Sequence, residues 1–313
     1  IFRSLIRKFN LDEGREPQKF GIGIKELWEV DPKKHKKGLI QHSFGWPLKA
    51  NTGGGSFLYH FDDNLVSVGF VVHLNYKNPH LSPFEEFQRF KTHPSIRETF
   101  EGGKRISYGA RAITEGGFQS VPKLTFPGGA LIGCSAGFVN VPRIKGSHNA
   151  MATGMMAANA AFEAVKDGRQ ADVLSAYDET YDGSHVYQDL KRVRNVKPLW
   201  SKLGTIFGLP FAAVDMWMNQ LRIGLPITLK HGKPDHACTE PASKHKPIDY
   251  PKPDGKISFD RLSSVFLSAT NHEEDQPVHL RLTDDTVPIA HNLPVFDEPA
   301  QRYCPAGGYE VMR

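Results

Sequence analysis

The chain has 313 residues, 39% of them hydrophobic and 23% charged. That is room for about two domains, in the balance of a soluble or peripheral globular protein and not of a disordered one. No run of about twenty apolar residues is present, which excludes a spanning helix. Three cysteines exclude a disulfide scaffold. The net charge of +5 is mild and interspersed; it favours anionic surfaces but makes no nucleic-acid footprint. The chain starts at Ile1 without an initiator Met or a signal-like segment and stops at Arg313 soon after a Cys-Pro pair. Both ends read as those of a piece of a longer protein.

In chain order, the first elements read as strands. Gly21 to Val30 alternates apolar positions, and Leu39 to Phe44, Ser56 to Phe61 and Leu65 to Leu74 follow, rich in β-branched and aromatic residues. Asp62-Asp63-Asn64 suits a hairpin turn between the last two. Ser82-Pro83 with Glu85 predicts a capped helix on which Phe84, Phe87 and Phe90 share a face. Gly102-Gly103 closes that region, and Arg105 to Ile113 predicts another strand. Gly128 to Gly137 reads as a buried strand entering a small-residue loop, ahead of a long Ala- and Met-rich helix from about Ser147 to Val165. Two charged amphipathic helices are expected between Asp172 and Arg194. After Lys230, Pro and Lys rise and predict a linker. The tail is expected to be mostly loop with short strands such as Val278-His279-Leu280-Arg281-Leu282.

Four segments carry chemistry. The Gly-rich stretch at 128–137 before a helix suits a phosphate, a ribityl chain or a flavin carbonyl, although small residues also serve plain packing. Gly53-Gly54-Gly55 exposes backbone N–H groups with no side chain in the way, as a hairpin tip does and as a site for a ligand carbonyl does. Leu203, Ile206, Phe207, Phe211, Val214, Met218 and Leu221 fall near one side of a helical projection. Trp200 and Trp217 add anchors, and Arg192, Arg194, Lys197, Lys202 and Arg222 flank them; Pro210 interrupts the run. That pattern fits an interfacial helix and equally a kinked core helix. Cys304-Pro305 has the look of an iron–sulfur ligand at a sharp turn, for which an inert thiol is the commoner alternative. The histidines show no metal-ligand spacing, and no general acid or base stands out.

Taken together, the segments resemble the electron-transfer flavoprotein–ubiquinone oxidoreductases. The resemblance is carried by Gly45-Trp46-Pro47-Leu48, Gly54-Gly55-Ser56-Phe57-Leu58-Tyr59-His60 and Asn78-Pro79-His80-Leu81-Ser82-Pro83-Phe84. It continues through Glu101-Gly102-Gly103-Lys104-Arg105, Glu115-Gly116-Gly117-Phe118-Gln119-Ser120 and Pro122 to Gly129. Asn140 to Gly146, Tyr250 to Gly255, Thr270-Asn271-His272 and Cys304-Pro305-Ala306-Gly307 complete it. It runs collinearly over nearly the whole chain and implies a C-terminal two-thirds portion of such a protein.

The resemblance implies a mixed α+β and α/β fold: part of a glutathione-reductase-like FAD-binding domain, an inserted antiparallel β-sheet quinone-binding domain, and the start of a ferredoxin-like cluster domain. It places the quinone sheet mainly in 1–110, the second FAD part in 111–198, a membrane-associated helix in 199–223, and a linker with the incomplete cluster domain in 224–313. It implies FAD and a 4Fe-4S cluster, with electron-transfer flavoprotein, ubiquinone and a membrane surface as partners and no nucleic acid. The location implied is peripheral and monotopic, at the mitochondrial inner membrane or the bacterial cytoplasmic membrane. Residue by residue, Gly54 and Gly55 match a glycine pair at the quinone; Cys134, Gly137 and Ser147 match positions closing over the flavin. Cys304 matches the first, isolated cluster cysteine and Tyr309 a tyrosine near the cluster. Gly308 departs from a bulkier apolar residue at its place. The alternatives are an FAD-dependent reductase of the isoprenoid-lipid (geranylgeranyl reductase-like) class or, for this portion alone, an inactive membrane-binding module.

Overall fold

The computed structural model describes residues 2–224, 226–277 and 281–312. They form two compact units, one from 1–21 and 113–237, the other from 22–112 and 238–313.

The second unit is built on a five-stranded sheet. Its strands are β1 (Phe20–Glu29), β2 (Ile40–Ser43), β3 (Gly54–Phe61), β4 (Leu65–His73) and β5 (Lys104–Thr114), in the order β2-β3-β4-β1-β5. β2, β3 and β4 are antiparallel neighbours. Val30 bonds Asn64 while Gly23 lies beside Val71, so β1 opposes β4 as well. Asp62 and Asn64 adopt positive φ in the turn between β3 and β4, which short polar side chains tolerate.

Alternation sends Ile24, Trp28, Val66, Val68, Phe70 and Val72 into a core shared with α2 (Pro83–Lys91) and α3 (Pro94–Phe100). Phe84, Phe87 and Phe90 are buried in it, as their spacing predicts. Only half of the capping box forms at α2. Ser82 Oγ accepts the Glu85 N–H at 3.3 Å, but the Ser82 N–H goes to the Tyr250 hydroxyl at 3.0 Å. Later in this unit come α9 (Arg261–Phe266), α10 (Leu293–Phe296) and α11 (Ala300–Tyr303). The short strand expected at Val278 to Leu282 falls partly on 278–280, outside the described residues; Arg281 and Leu282 are irregular.

The first unit contains α1 (Phe2–Lys8), a two-stranded ladder of β6 (Thr125–Phe126) and β7 (Gly129–Ala130), α4 (Gly133–Ala136), α5 (Ser147–Lys166), α6 (Ser175–Asp182), α7 (His185–Arg192) and α8 (Val196–Gln220). The buried strand expected over Gly128–Gly137 is replaced by this short hairpin and one helical turn. Gly133 at φ 54° and Gly137 at φ 90° fold the chain too tightly for an extended run. Both sheets are antiparallel where register is given, so the described architecture is α+β. The expected α/β half finds no parallel ladder among the described residues.

At the centre of the second unit lies a buried charge cluster. The Lys91 ammonium is 2.8 Å from Glu26 Oε2, and Arg105 Nη1 is 3.2 Å from Oε1. Trp28 Nε1–H donates to the same carboxylate at 2.8 Å. Lys91 is fully buried, and desolvation is the main cause that lowers its pKa to about 8, partly opposed by Glu26. Removing one member of a buried ion cluster strands the others. Glu26→Ala is therefore expected to destabilise the protein by about 3–5 kcal/mol, read as a lowered urea midpoint. A change within about 0.5 kcal/mol, the range of surface substitutions, would show that the cluster does not hold the sheet.

Candidate functional site

Gly54 and Gly55 open β3 and pair with Val72 and Val71 of β4. They are thus part of a ladder and not a loose hairpin tip. They lie beyond Ser43 with Ser56, the last pair between β2 and β3. Their lack of a side chain is forced by the protein itself. A Cβ on Gly54 would sit 2.3 Å from the Val71 carbonyl oxygen, and one on Gly55 would sit 2.7 Å from that of Ser43. On neighbouring Gly53 it would meet the His73 ring at 2.1 Å. The first signal read in these glycines is close backbone packing.

The flavin positions inferred by resemblance lie in the first unit. Cys134 is in the turn of α4, Gly137 caps that turn in the left-handed conformation, and Ser147 is the first residue of α5. The Cys134 sulfur is engaged inside the protein, accepting the Thr114 N–H at 3.5 Å, while Thr114 Oγ1 donates to the Cys134 carbonyl at 2.6 Å. A Cβ on Gly137 would lie 2.7 Å from Gln18 Nε2, again a close approach. Ser147 is exposed, and no side chain caps the N-terminus of α5. The first N–H groups of a helix lack intrahelical partners and carry partial positive charge.

Residues that sequence reasoning passed over hold this loop. Buried Thr153 Oγ1 accepts the Gly133 N–H at 3.2 Å, and buried Asn149 Nδ2 donates to the Phe138 carbonyl at 2.9 Å. Gln18 Oε1 accepts the Gly116 N–H at 2.7 Å. The polar spacing of Asn149 and Thr153 along one face of an otherwise small-residue helix was the available signal.

The amphipathic segment is a broken helix. Gly204, at φ 69° and ψ −173°, interrupts α8, and a Cβ on Gly208 would lie 2.7 Å from the Leu199 carbonyl oxygen. The second part folds back against the first there. The break is at Gly204 and not at Pro210, because only glycine takes that conformation without strain. Ile206, Phe207, Phe211, Val214 and Trp217 are all more than half exposed. Of the basic flank, Lys202 and Arg222 are exposed, but Arg194 and Lys197 are buried. Lys197 Nζ is 2.6 Å from Glu115 Oε2, and Arg194 donates to Asn219 Oδ1 at 2.9 Å. These two root the helix in the first unit and do not reach for solvent. No helix among the described residues is long and apolar enough to cross a membrane.

Cys304 follows α11 and is partly buried. Its sulfur accepts the Gly308 N–H at 3.4 Å, the bond that a thiolate ligand uses. Arg261 Nη1 donates to the Cys304 carbonyl at 3.2 Å and the Tyr108 hydroxyl to that of Pro305 at 2.9 Å, fixing the turn. Tyr309 is exposed. Among the described residues no group of three or more His, Cys, Asp or Glu is arranged for a metal ion.

Comparisons now place the chain. Residues 20–113, the five-stranded sheet, match the family described as ETF-QO, ubiquinone-binding, and residues 255–313, with Cys304, match Electron transfer flavoprotein-ubiquinone oxidoreductase, 4Fe-4S. Over its full length the chain is 56% identical to the electron transfer flavoprotein-ubiquinone oxidoreductase of Pseudomonas aeruginosa, covering 56% of that protein. It is 52% identical to the mitochondrial enzyme of that name from Homo sapiens, again with all of this chain and 52% of the relative covered. A geranylgeranyl bacteriochlorophyll reductase-like structure from Thermoplasma acidophilum is similar at TM-score 0.48 and 16% identity, over 67% of this chain and 50% of that one. The chain belongs to the electron transfer flavoprotein–ubiquinone oxidoreductase family, and it spans about half the length of the curated relatives that it matches.

Buried His231 shares a 2.7 Å hydrogen bond with the Gly116 carbonyl, which requires Nε2–H as donor. Desolvation, aided by the charges of Lys19 and Lys197 and partly opposed by that bond, lowers its pKa from 6.5 to about 4. The unfolded chain takes up this proton near 6.5, the folded one only near 4, so stability is full above that window and falls as pH drops through it. The thermal midpoint of the wild type is expected to fall more steeply between about pH 7 and 4.5 than that of His231→Gln. Equal slopes in differential scanning fluorimetry would exclude the assignment.

Proposed function

We propose that this chain is the quinone-binding and flavin-closing part of an oxidoreductase that passes electrons from reduced electron-transfer flavoprotein to ubiquinone at a membrane surface. One observation carries the reading: the quinone-binding match at 20–113 and the cluster match at 255–313 fall almost wholly in the same compact unit. The cluster match also separates it from the isoprenoid-lipid reductase alternative, which lacks such a segment. When bound, the 4Fe-4S cluster supplies one-electron transfer and FAD exchanges electrons with the quinone.

The chain's own residues bind and orient. Residues 111–198 are read as the second part of a glutathione-reductase-like FAD domain, and 224–313 as a linker and the start of a ferredoxin-like one. The backbone around Cys134 and Gly137 and the open start of α5 at Ser147 would receive the flavin. Gly54 and Gly55 are read as the backbone that meets a quinone head group. Cys304 would donate its thiolate, with Tyr309 nearby in sequence and Arg261 and Tyr108 holding the turn. The exposed face of α8 suits the headgroup layer, with burial worth about 25 cal/mol per Å² of apolar area. That face, together with the mitochondrial name of the human relative, supports a peripheral place at the mitochondrial inner or bacterial cytoplasmic membrane.

Two measurements test this in the full-length protein. Cys304→Ala is expected to abolish the cluster signal in low-temperature electron paramagnetic resonance, while Cys134→Ser and Cys238→Ser keep it; a retained signal in Cys304→Ala refutes the ligand assignment. Replacing Phe207 and Phe211 with Ser is expected to move the protein from vesicle pellet to supernatant. Unchanged co-sedimentation would mean that this face meets protein instead of lipid.

A further inference from the structure

Arg261 opens α9 and reaches the turn that carries Cys304. Its Nη1 donates to the Gln301 carbonyl at 2.9 Å and to the Cys304 carbonyl at 3.2 Å. Its stem lies against Gly307, which has φ 66° and where a Cβ would come 3.1 Å from Arg261 Cδ. Its guanidinium carbon is 5.6 Å from the ring centroid of buried Phe84. The half-buried side chain is thus held at its stem, at its planar face and at its tip. In the same turn the Gly307 N–H donates to the Cys304 carbonyl at 3.3 Å and the Gly308 N–H to the Cys304 sulfur at 3.4 Å.

The other charged groups around this turn are engaged elsewhere. Arg105 is bound to Glu26 and Ser264, and Arg302 to Asp297. Asp260 accepts the Ser263 N–H at 2.9 Å as the cap of α9, and Glu298 Oε1 accepts the Ala300 N–H at 3.0 Å. Glu85 feels the charge of Arg261, but its own burial is the larger influence and raises its pKa. Among the described residues no carboxylate pairs directly with Arg261. A guanidinium keeps its proton at any ordinary pH, so a permanent cation rests on the backbone of Cys304.

We infer that Arg261 raises the reduction potential of the 4Fe-4S cluster by holding this cation against the backbone of its ligand Cys304. The inference rests on Cys304 as a ligand. One-electron reduction adds a negative charge to a thiolate-held cluster, and a fixed cation beside a ligand stabilises the reduced state over the oxidised one. The sign does not depend on Glu298, Glu85 or Asp260, because these stay when Arg261 is replaced.

The test is a dithionite titration of the full-length protein, followed by the cluster signal in low-temperature electron paramagnetic resonance. Arg261→Gln is expected to keep the signal and to make the one-electron reduction at least about tenfold less favourable, a drop of about 59 mV. Arg261→Lys keeps the charge and is expected to show less than half of that drop. Lys33→Gln removes an exposed cation from the turn between β1 and β2 and is expected to leave the potential unchanged. An unshifted or raised potential in Arg261→Gln overturns the inference. So do equal drops in the Gln and Lys variants, or loss of the signal from both, which would make Arg261 a support of the turn and nothing more. If the Gln variant alone holds no cluster, Arg261→His decides. Its potential should fall more than that of the wild type as pH rises from about 5.5 to 8.5, through the histidine range; a parallel course overturns the inference. A signal retained in Cys304→Ala overturns the ligand reading and the inference with it, whereas its loss there beside an unshifted Arg261→Gln overturns the inference alone.

Discussion

The carboxylate of Glu26, buried with Lys91 and Arg105 around it, is the constraint on which the second unit turns. Burying a charge is tolerable only where partners and hydrogen bonds replace its water. Here those partners come from three elements: β1 supplies Glu26 and Trp28, α2 supplies Lys91, and β5 supplies Arg105. These contacts join α2 to β1 and β5 through one carboxylate. Arg105 extends the network to Ser264 on α9 and to the ring of Phe259, so the segment leading to Cys304 is tied to the same point. Gly54, Gly55 and Cys304 therefore lie in the same unit as this network.

In the first unit, neutral and charged buried contacts do comparable work. Lys197 with Glu115, and Lys19 with Asp235 at 3.1 Å, pin the start of α8 and the beginning of β1. Thr153, Asn149, Thr114 and Gln18 satisfy the backbone of a loop made of small residues, which could not otherwise hold one shape. The break at Gly204 then frees the second part of α8 to expose its apolar side while its root stays anchored.

Glycine has the same physical meaning at each site. At Gly54, Gly55, Gly137 and Gly208, a single Cβ would meet atoms of the protein within 3 Å. Each marks a place where two backbones or a backbone and a side chain approach more closely than any other residue permits. A glycine-rich motif therefore speaks first of packing, and of ligand access only where the strand edge beside it is left clear.

Local signals were sufficient for much of this. Ser82-Pro83 started α2, the Phe84, Phe87 and Phe90 spacing set its buried face, and β-branched alternation located the strands, because caps, φ limits and periodicity act within a few residues. Collinear motifs were enough for the family. The tertiary structure alone decided which charges are buried. Arg194 and Lys197 read as solvent-seeking flanks of a helix, yet the partner of Lys197 is Glu115, 82 residues away. Likewise Arg105 meets Glu26 across 79 residues and the Cys134 sulfur turns to Thr114 across 20. Burial and pairing depend on groups that only the folded chain brings together, and no local pattern encodes the distance between them.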